Sequence, residues 1–144
     1  MAIWKTIPTV AHVARLQIGT ISEHLGIEML EFGPDYLRGR MPVDARTKQP
    51  MGLLHGGASA VLAETLGSIA GKMCLDPGKE CVGLEINANH IRAVRSGFVT
   101  GTARPVHIGG RTQVWNIEIV DEAGKIVCVS RLTLAIIGRD QIAK

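Results

Sequence analysis

The chain has 144 residues, 46% hydrophobic and 20% charged, which groups it with folded globular proteins and excludes a disordered one. The length suits a single domain spanning residues 1–144. A formal net charge of +3 comes from scattered Lys and Arg, and one Tyr with two Phe offers no base-stacking surface, so nucleic-acid binding is not expected. Cys74, Cys81 and Cys128 are odd in number and hold no CxxC pair, which argues for buried free thiols over a disulfide framework or zinc site.

In chain order, the opening residues lack the basic and apolar regions of a signal peptide, and no run of about 18 apolar residues follows. A cytoplasmic location without membrane contact is the expectation. Val10, Val13, Ala14 and Ile18 stand at helical spacing, so residues 8–25 are expected to form one or two short helices stopped at Gly26. Residues 27–32 read as a first strand, and Gly33, Pro34 and Asp35 as a turn. Residues 37–43 alternate, with Leu37, Gly39, Met41 and Val43 on one face and Arg38 and Arg40 on the other, the pattern of a half-buried strand. Residues 44–54 are aperiodic and read as a loop. Residues 55 to about 75 are the one long helical candidate, ended by Asp76, Pro77 and Gly78.

The rest reads as strands at 81–90, 97–107, 112–120 and 126–137, rich in Val, Ile and Thr and joined by short connectors suited to antiparallel hairpins. Such a sheet must bury one face, and the long helix is the only candidate partner. The expected class is therefore α+β: five or six antiparallel strands wrapped around one long central helix.

That helix carries the candidate chemistry. Glu64 is the only acid between Asp44 and Asp76. Gly57, Ala60, Gly67 and Gly71 form a small-residue stripe, and Ala60, Glu64 and Ser68 align with it. An ionised carboxylate on a buried helix is costly unless paired. Three readings stand open: Glu64 faces water, pairs with an Arg, or faces a ligand cavity as nucleophile or base. The small neighbours, which let a ligand or second chain approach, favour the cavity. At the helix start, Gly56 and Gly57 follow His55, and unpaired N–H groups there could polarise a carbonyl oxygen or merely allow a tight entry turn.

The run from Met41 to Ser68, MPVDARTKQPMGLLHGGASAVLAETLGS, with GLEINANH at 83–90 and RPVHIGGR at 104–111, resembles the hotdog-fold thioesterases of the phenylacetate-degradation type. It is similar to the branch that hydrolyses 1,4-dihydroxy-2-naphthoyl-CoA in menaquinone synthesis and to its proofreading paralogues in enterobactin synthesis. The resemblance implies a hotdog fold and hydrolysis of an aroyl-coenzyme A with no metal or other cofactor. It implies Glu64 as nucleophile or general base and the Gly56 N–H as donor to the thioester oxygen. His55 and Gln49 would assist near the carbonyl and the leaving thiol, and Ser68 would position substrate or water.

For the coenzyme A groove the resemblance implies Gly83, the stretch His90, Ile91, Arg92 and Ala93, and the hairpin residues His107, Ile108, Gly109, Gly110, Arg111 and Thr112. Arg92 and Arg111 suit phosphates, and Gly109 and Gly110 suit an anion nest of backbone N–H groups. Ile91 and Ala93 depart from relatives that carry a second histidine and a later proline. A dimer of dimers is also implied, with the pocket shared across a dimer interface. The rivals are a proofreading thioesterase acting on an acyl or aryl carrier protein, a non-catalytic acyl-CoA sensor, and a dehydratase. A sensor is expected to need an attached DNA-binding segment, and a dehydratase a histidine facing the acid.

Overall fold

The computed structural model describes residues 1–7 and 9–142. The expected N-terminal helical segment therefore starts at a residue, Pro8, that lies outside the described ones. Helix α1 spans Val10–Leu16, capped by the Thr9 hydroxyl, which accepts the His12 N–H at 3.1 Å. It buries only Val13, and Ile18 beyond it is exposed. A short α2, Ile21–His24, ends at Gly26, whose φ of 72° makes the left-handed turn that glycine allows.

Six strands follow: β1 Glu28–Phe32, β2 Leu37–Pro42, β3 Lys79–His90, β4 Phe98–Ile108, β5 Thr112–Val120 and β6 Ile126–Gly138. They form one sheet in the order β1-β2-β4-β5-β6-β3, every pair antiparallel. Helix α3, Gly56–Met73, joins β2 to β3, which lie on opposite sides of the β4-β5-β6 hairpin set, so the chain must cross the sheet. It crosses on the apolar face. Leu37 and Met41 of β2, Val99 and Ala103 of β4, Trp115 and Ile117 of β5, and Leu132 and Leu134 of β6 point to it and are fully buried. The alternation expected for residues 37–43 holds, with Arg38 and Arg40 on the outer face.

Helix and sheet interlock through glycine on both sides. Gly39 of β2 is paired directly with Gly101 of β4, and Leu66 of α3 fills the hollow: a Cβ on either would come within 2.8 or 2.6 Å of a Leu66 methyl. In return, Gly67 and Gly71 of α3 receive Leu132 and Leu134, whose methyls would stand 2.6 and 2.5 Å from an added Cβ. This corrects the reading of the small stripe. At Gly67 and Gly71 the close neighbour is the protein's own sheet, because only a bare backbone lets α3 sit low enough to bury Leu62 and Leu66. Each such leucine contributes about 1.5–3 kcal/mol. Gln113, fully buried, locks the far end: it donates to the Gly71 carbonyl at 3.3 Å and accepts the Trp115 indole N–H at 2.9 Å.

Candidate active site

The loop of residues 44–55 is held by its own backbone. The buried Thr47 hydroxyl donates to the Pro42 carbonyl at 2.7 Å, and the Thr47 carbonyl accepts the His55 N–H at 2.8 Å. At its start Arg46 hydrogen-bonds Asp44 and holds that carboxyl below its ordinary range. The loop delivers Gln49 beside the start of α3, with its Oε1 accepting the Met51 N–H.

His55 is the N-cap of α3. Its Nδ1 accepts the Gly57 N–H at 2.8 Å, so the free face of its ring is Nε2. Of the two glycine N–H groups expected to be free, Gly57 is therefore occupied. The Gly56 N–H keeps no partner among the described residues. A groove of about 290 Å³ opens there, lined by Gln49, Gly56, Ser59, His90, Ile91, Arg92 and Ala93 with the apolar Leu53, Leu54 and Val127. Six residues singled out in the sequence thus meet in one place. The exposed cations Arg92 and Arg95 stand nearby, and Arg92 has no ion pair among the described residues.

Glu64 and Gly83 lie elsewhere. Glu64, two turns further along α3, is exposed and has no ion pair or hydrogen bond among the described residues, so the reading that pairs it with an Arg finds no such partner among them. Its carboxylate rests on the bare backbone of Gly83, where a Cβ would stand 2.6 Å from Oε1. The β3–β6 register slips at that glycine. Ser68, one turn on, is half-buried, and its carbonyl accepts the Cys81 thiol at 3.6 Å. Strand β3 is a sheet edge, with Val82 and Leu84 exposed.

The hairpin residues form a third group. Ile108, Gly109 and Gly110 border a cavity of about 310 Å³ at the C-terminal end of α3, beside Lys5 and Lys79. His107 lies over Gly109, while Arg111 and Thr112 are exposed. The Gly109 N–H closes the hairpin onto the Thr112 carbonyl at 2.9 Å, and neither glycine has positive φ, so the expected anion nest does not form there. A cavity of about 340 Å³ between α1, α2 and β1 holds none of the candidate site residues.

Burial favours the thiol form, the less reactive one, at all three cysteines. Burial, with the neighbouring thiol adding to it at Cys74 and Glu80 at Cys81, pushes both thiols up to about 11. Among the described residues no three His, Cys, Asp or Glu gather as a metal site, and no helix is long and apolar enough to cross a membrane.

Residues 51–128, which hold α3, every groove residue but Gln49 and most of the sheet, match the model of the Thioesterase superfamily. The chain belongs to that superfamily and is a thioester hydrolase with the hotdog fold. It is 52% identical over 135 residues to the 1,4-dihydroxy-2-naphthoyl-CoA hydrolase of Escherichia coli, covering 94% of this chain and 99% of that one. It is also 52% identical over 136 residues to a proofreading thioesterase of Cronobacter turicensis, covering 94% and 99%. The crystal structure of a thioesterase from Haemophilus influenzae superposes with a TM-score of 0.93 at 52% identity, covering 94% of this chain and 95% of that one.

The resemblance pointed to most of these side chains, but not to how they divide. Among the described residues a single chain gathers the groove set and leaves Glu64 apart from it. The one signal for that division is spacing. Glu64 lies eight residues, hence about 12 Å, along α3 from Gly56.

Proposed function

We propose that the protein hydrolyses an aroyl-coenzyme A such as 1,4-dihydroxy-2-naphthoyl-CoA, at a site completed by two copies of the chain. The observation that carries this is the pairing of each half-site with one end of an open edge strand. Gly56 lies against His90 and Glu64 lies over Gly83, seven residues away on β3, or roughly 20 Å. One carbonyl carbon cannot touch both within a chain. If two β3 edges pair antiparallel about an axis near Ile86 and Asn87, the Gly83 of one copy stands opposite the His90 of the other. Such pairing also covers Val82 and Leu84 and satisfies the edge.

In that arrangement the free Gly56 N–H receives the thioester oxygen at the positive end of α3. Glu64 from the other copy attacks the carbonyl carbon, or takes a proton from a water that does. Gln49 and the Nε2 face of His55 lie near the sulfur, and Ser68 orients water or substrate. On the first route the thiol leaves behind an acyl-Glu64 anhydride that water then hydrolyses; either route ends with the carboxylic acid and the free thiol. Leu53, Leu54, Ile91 and Val127 give the groove an apolar wall. Arg92, with Arg111 and the hairpin at 107–112, takes the phosphates of coenzyme A, and the dimers pair again into a tetramer. Likeness to the Escherichia coli hydrolase supports the aroyl group.

A second reading is favoured by the exposed Arg92 and Arg95: the same site serves an aroyl group on an acidic carrier protein, as the likeness to the Cronobacter enzyme suggests. Thiol release from an aroyl-CoA, short and long acyl-CoAs and an aroyl-carrier protein, by the wild type and Glu64→Ala, tests both. Rapid cleavage of the aroyl-CoA, lowered by about 10²–10⁴ in the variant, is the expected result. Preference for the carrier protein selects the second reading. Binding of acyl-CoA without cleavage overturns both and leaves a sensor.

A further inference from the structure

This inference rests on the thioesterase reading and adds one group to it. His90 ends β3 with the Nε2 edge of its ring on Gly56: a Cβ on Gly56 would stand 2.6 Å from Nε2 and 2.9 Å from Cε1. A Cβ lies about 2.5 Å from its own backbone nitrogen, so His90 Nε2 and the Gly56 nitrogen are at most about 5 Å apart. Two donors that each approach one oxygen at about 2.7–3.1 Å are themselves roughly 3–5 Å apart. Both groups line the same groove, and neither the ring of His90 nor the Gly56 N–H has a partner among the described residues. The other histidine at this helix start has its Nδ1 committed to the Gly57 N–H.

We propose that His90 supplies the second hydrogen-bond donor of the carbonyl-binding site, its Nε2–H acting beside the Gly56 N–H. When the nucleophile bonds to the carbonyl carbon, the C=O π pair moves to oxygen, and the two N–H groups hold that oxyanion without giving up a proton. Collapse restores the C=O, breaks the C–S bond and sends its electron pair to sulfur, which takes a proton from solvent. The role requires a hydrogen on Nε2. Glycine at 56 then serves two ends: it bares the N–H, and it leaves room for the ring.

The test is steady-state thiol release by the wild type, Glu64→Ala, His90→Leu and His90→Gln. The substrates are an aroyl-CoA and the thiophenyl ester of the same acid, with melting temperatures recorded for each variant. His90→Leu fills the space without donating, and His90→Gln restores an N–H. The expected result is a loss of about 10²–10³ in kcat for His90→Leu on both thioesters, with KM changed little and activity partly recovered in His90→Gln. Full activity in His90→Leu would make the ring a filler over Gly56 and overturn the assignment. A loss confined to the aroyl-CoA, sparing the better thiophenol leaving group, would move His90 to the sulfur and overturn it equally. If Glu64→Ala is as active as the wild type, the Glu64 reading falls and this inference with it. If Glu64→Ala is inactive and His90→Leu is not, only the role of His90 falls.

Discussion

The two faces of α3 share one continuous helix and do opposite work. The inward face carries Leu62, Leu66, Gly67, Ala70 and Gly71, all buried, and meets the sheet in matched hollows. The outward face carries Glu64 and Ser68 and meets the edge strand β3, with the Gly83 backbone under Glu64 and the Cys81 thiol on the Ser68 carbonyl. A glycine on a helix therefore does not announce a ligand by itself. At Gly67 and Gly71 it lets leucines of β6 pack, whereas at Gly56 it leaves an N–H and space for a histidine ring.

Substitutions should separate the faces. The largest effect is expected at Glu64: alanine there lowers thiol release by about 10²–10⁴ and leaves the melting temperature nearly unchanged, since the side chain is exposed and unpaired. A large loss of stability would show that Glu64 belongs to the packing. On the inward face Leu66→Ala should cost about 2–5 kcal/mol in denaturant unfolding, measured at fixed protomer concentration, because a fully buried leucine leaves a cavity between Gly39 and Gly101. Gly71→Ala should cost less, about 1–3 kcal/mol, by forcing Leu134 and Gln113 aside. Iodoacetamide at neutral pH should leave activity untouched. Burial holds the Cys74 and Cys81 thiols up at about 11 and raises Cys128 as well, so the reactive thiolate is scarce at neutral pH and gains only as pH rises toward that range.

The fold was legible because its signals are periodic. Alternation over residues 37–43 and the unbroken run into α3 fixed both elements to within a few residues. The helix crossing followed from there being a single long helix to cover the sheet. Candidate side chains were legible through the resemblance, and Glu64 stood out as a lone acid. What the sequence hid depends on through-space approach. The reciprocal seating of Leu66 on Gly39 and Gly101, the ring of His90 on Gly56, and the capping role of His55 Nδ1 join residues whose spacing has no period. The Gly109 N–H was misread because a glycine pair fits an anion nest and a closed hairpin equally well until φ and the Thr112 carbonyl are known.

Subunit mixing tests most directly whether one active site draws on two chains. Gln49→Ala disables the groove half and Glu64→Ala the carboxylate half. Unfolded together and refolded, they should form hybrids in which one of the two sites is intact. With random pairing, activity should return to roughly a quarter of the wild-type level, while either variant refolded alone stays inactive. A mixture that forms hybrids, shown by a mass tag on one variant, yet remains as inactive as its parents would place Gln49 and Glu64 in the same chain's site and contradict the two-chain account.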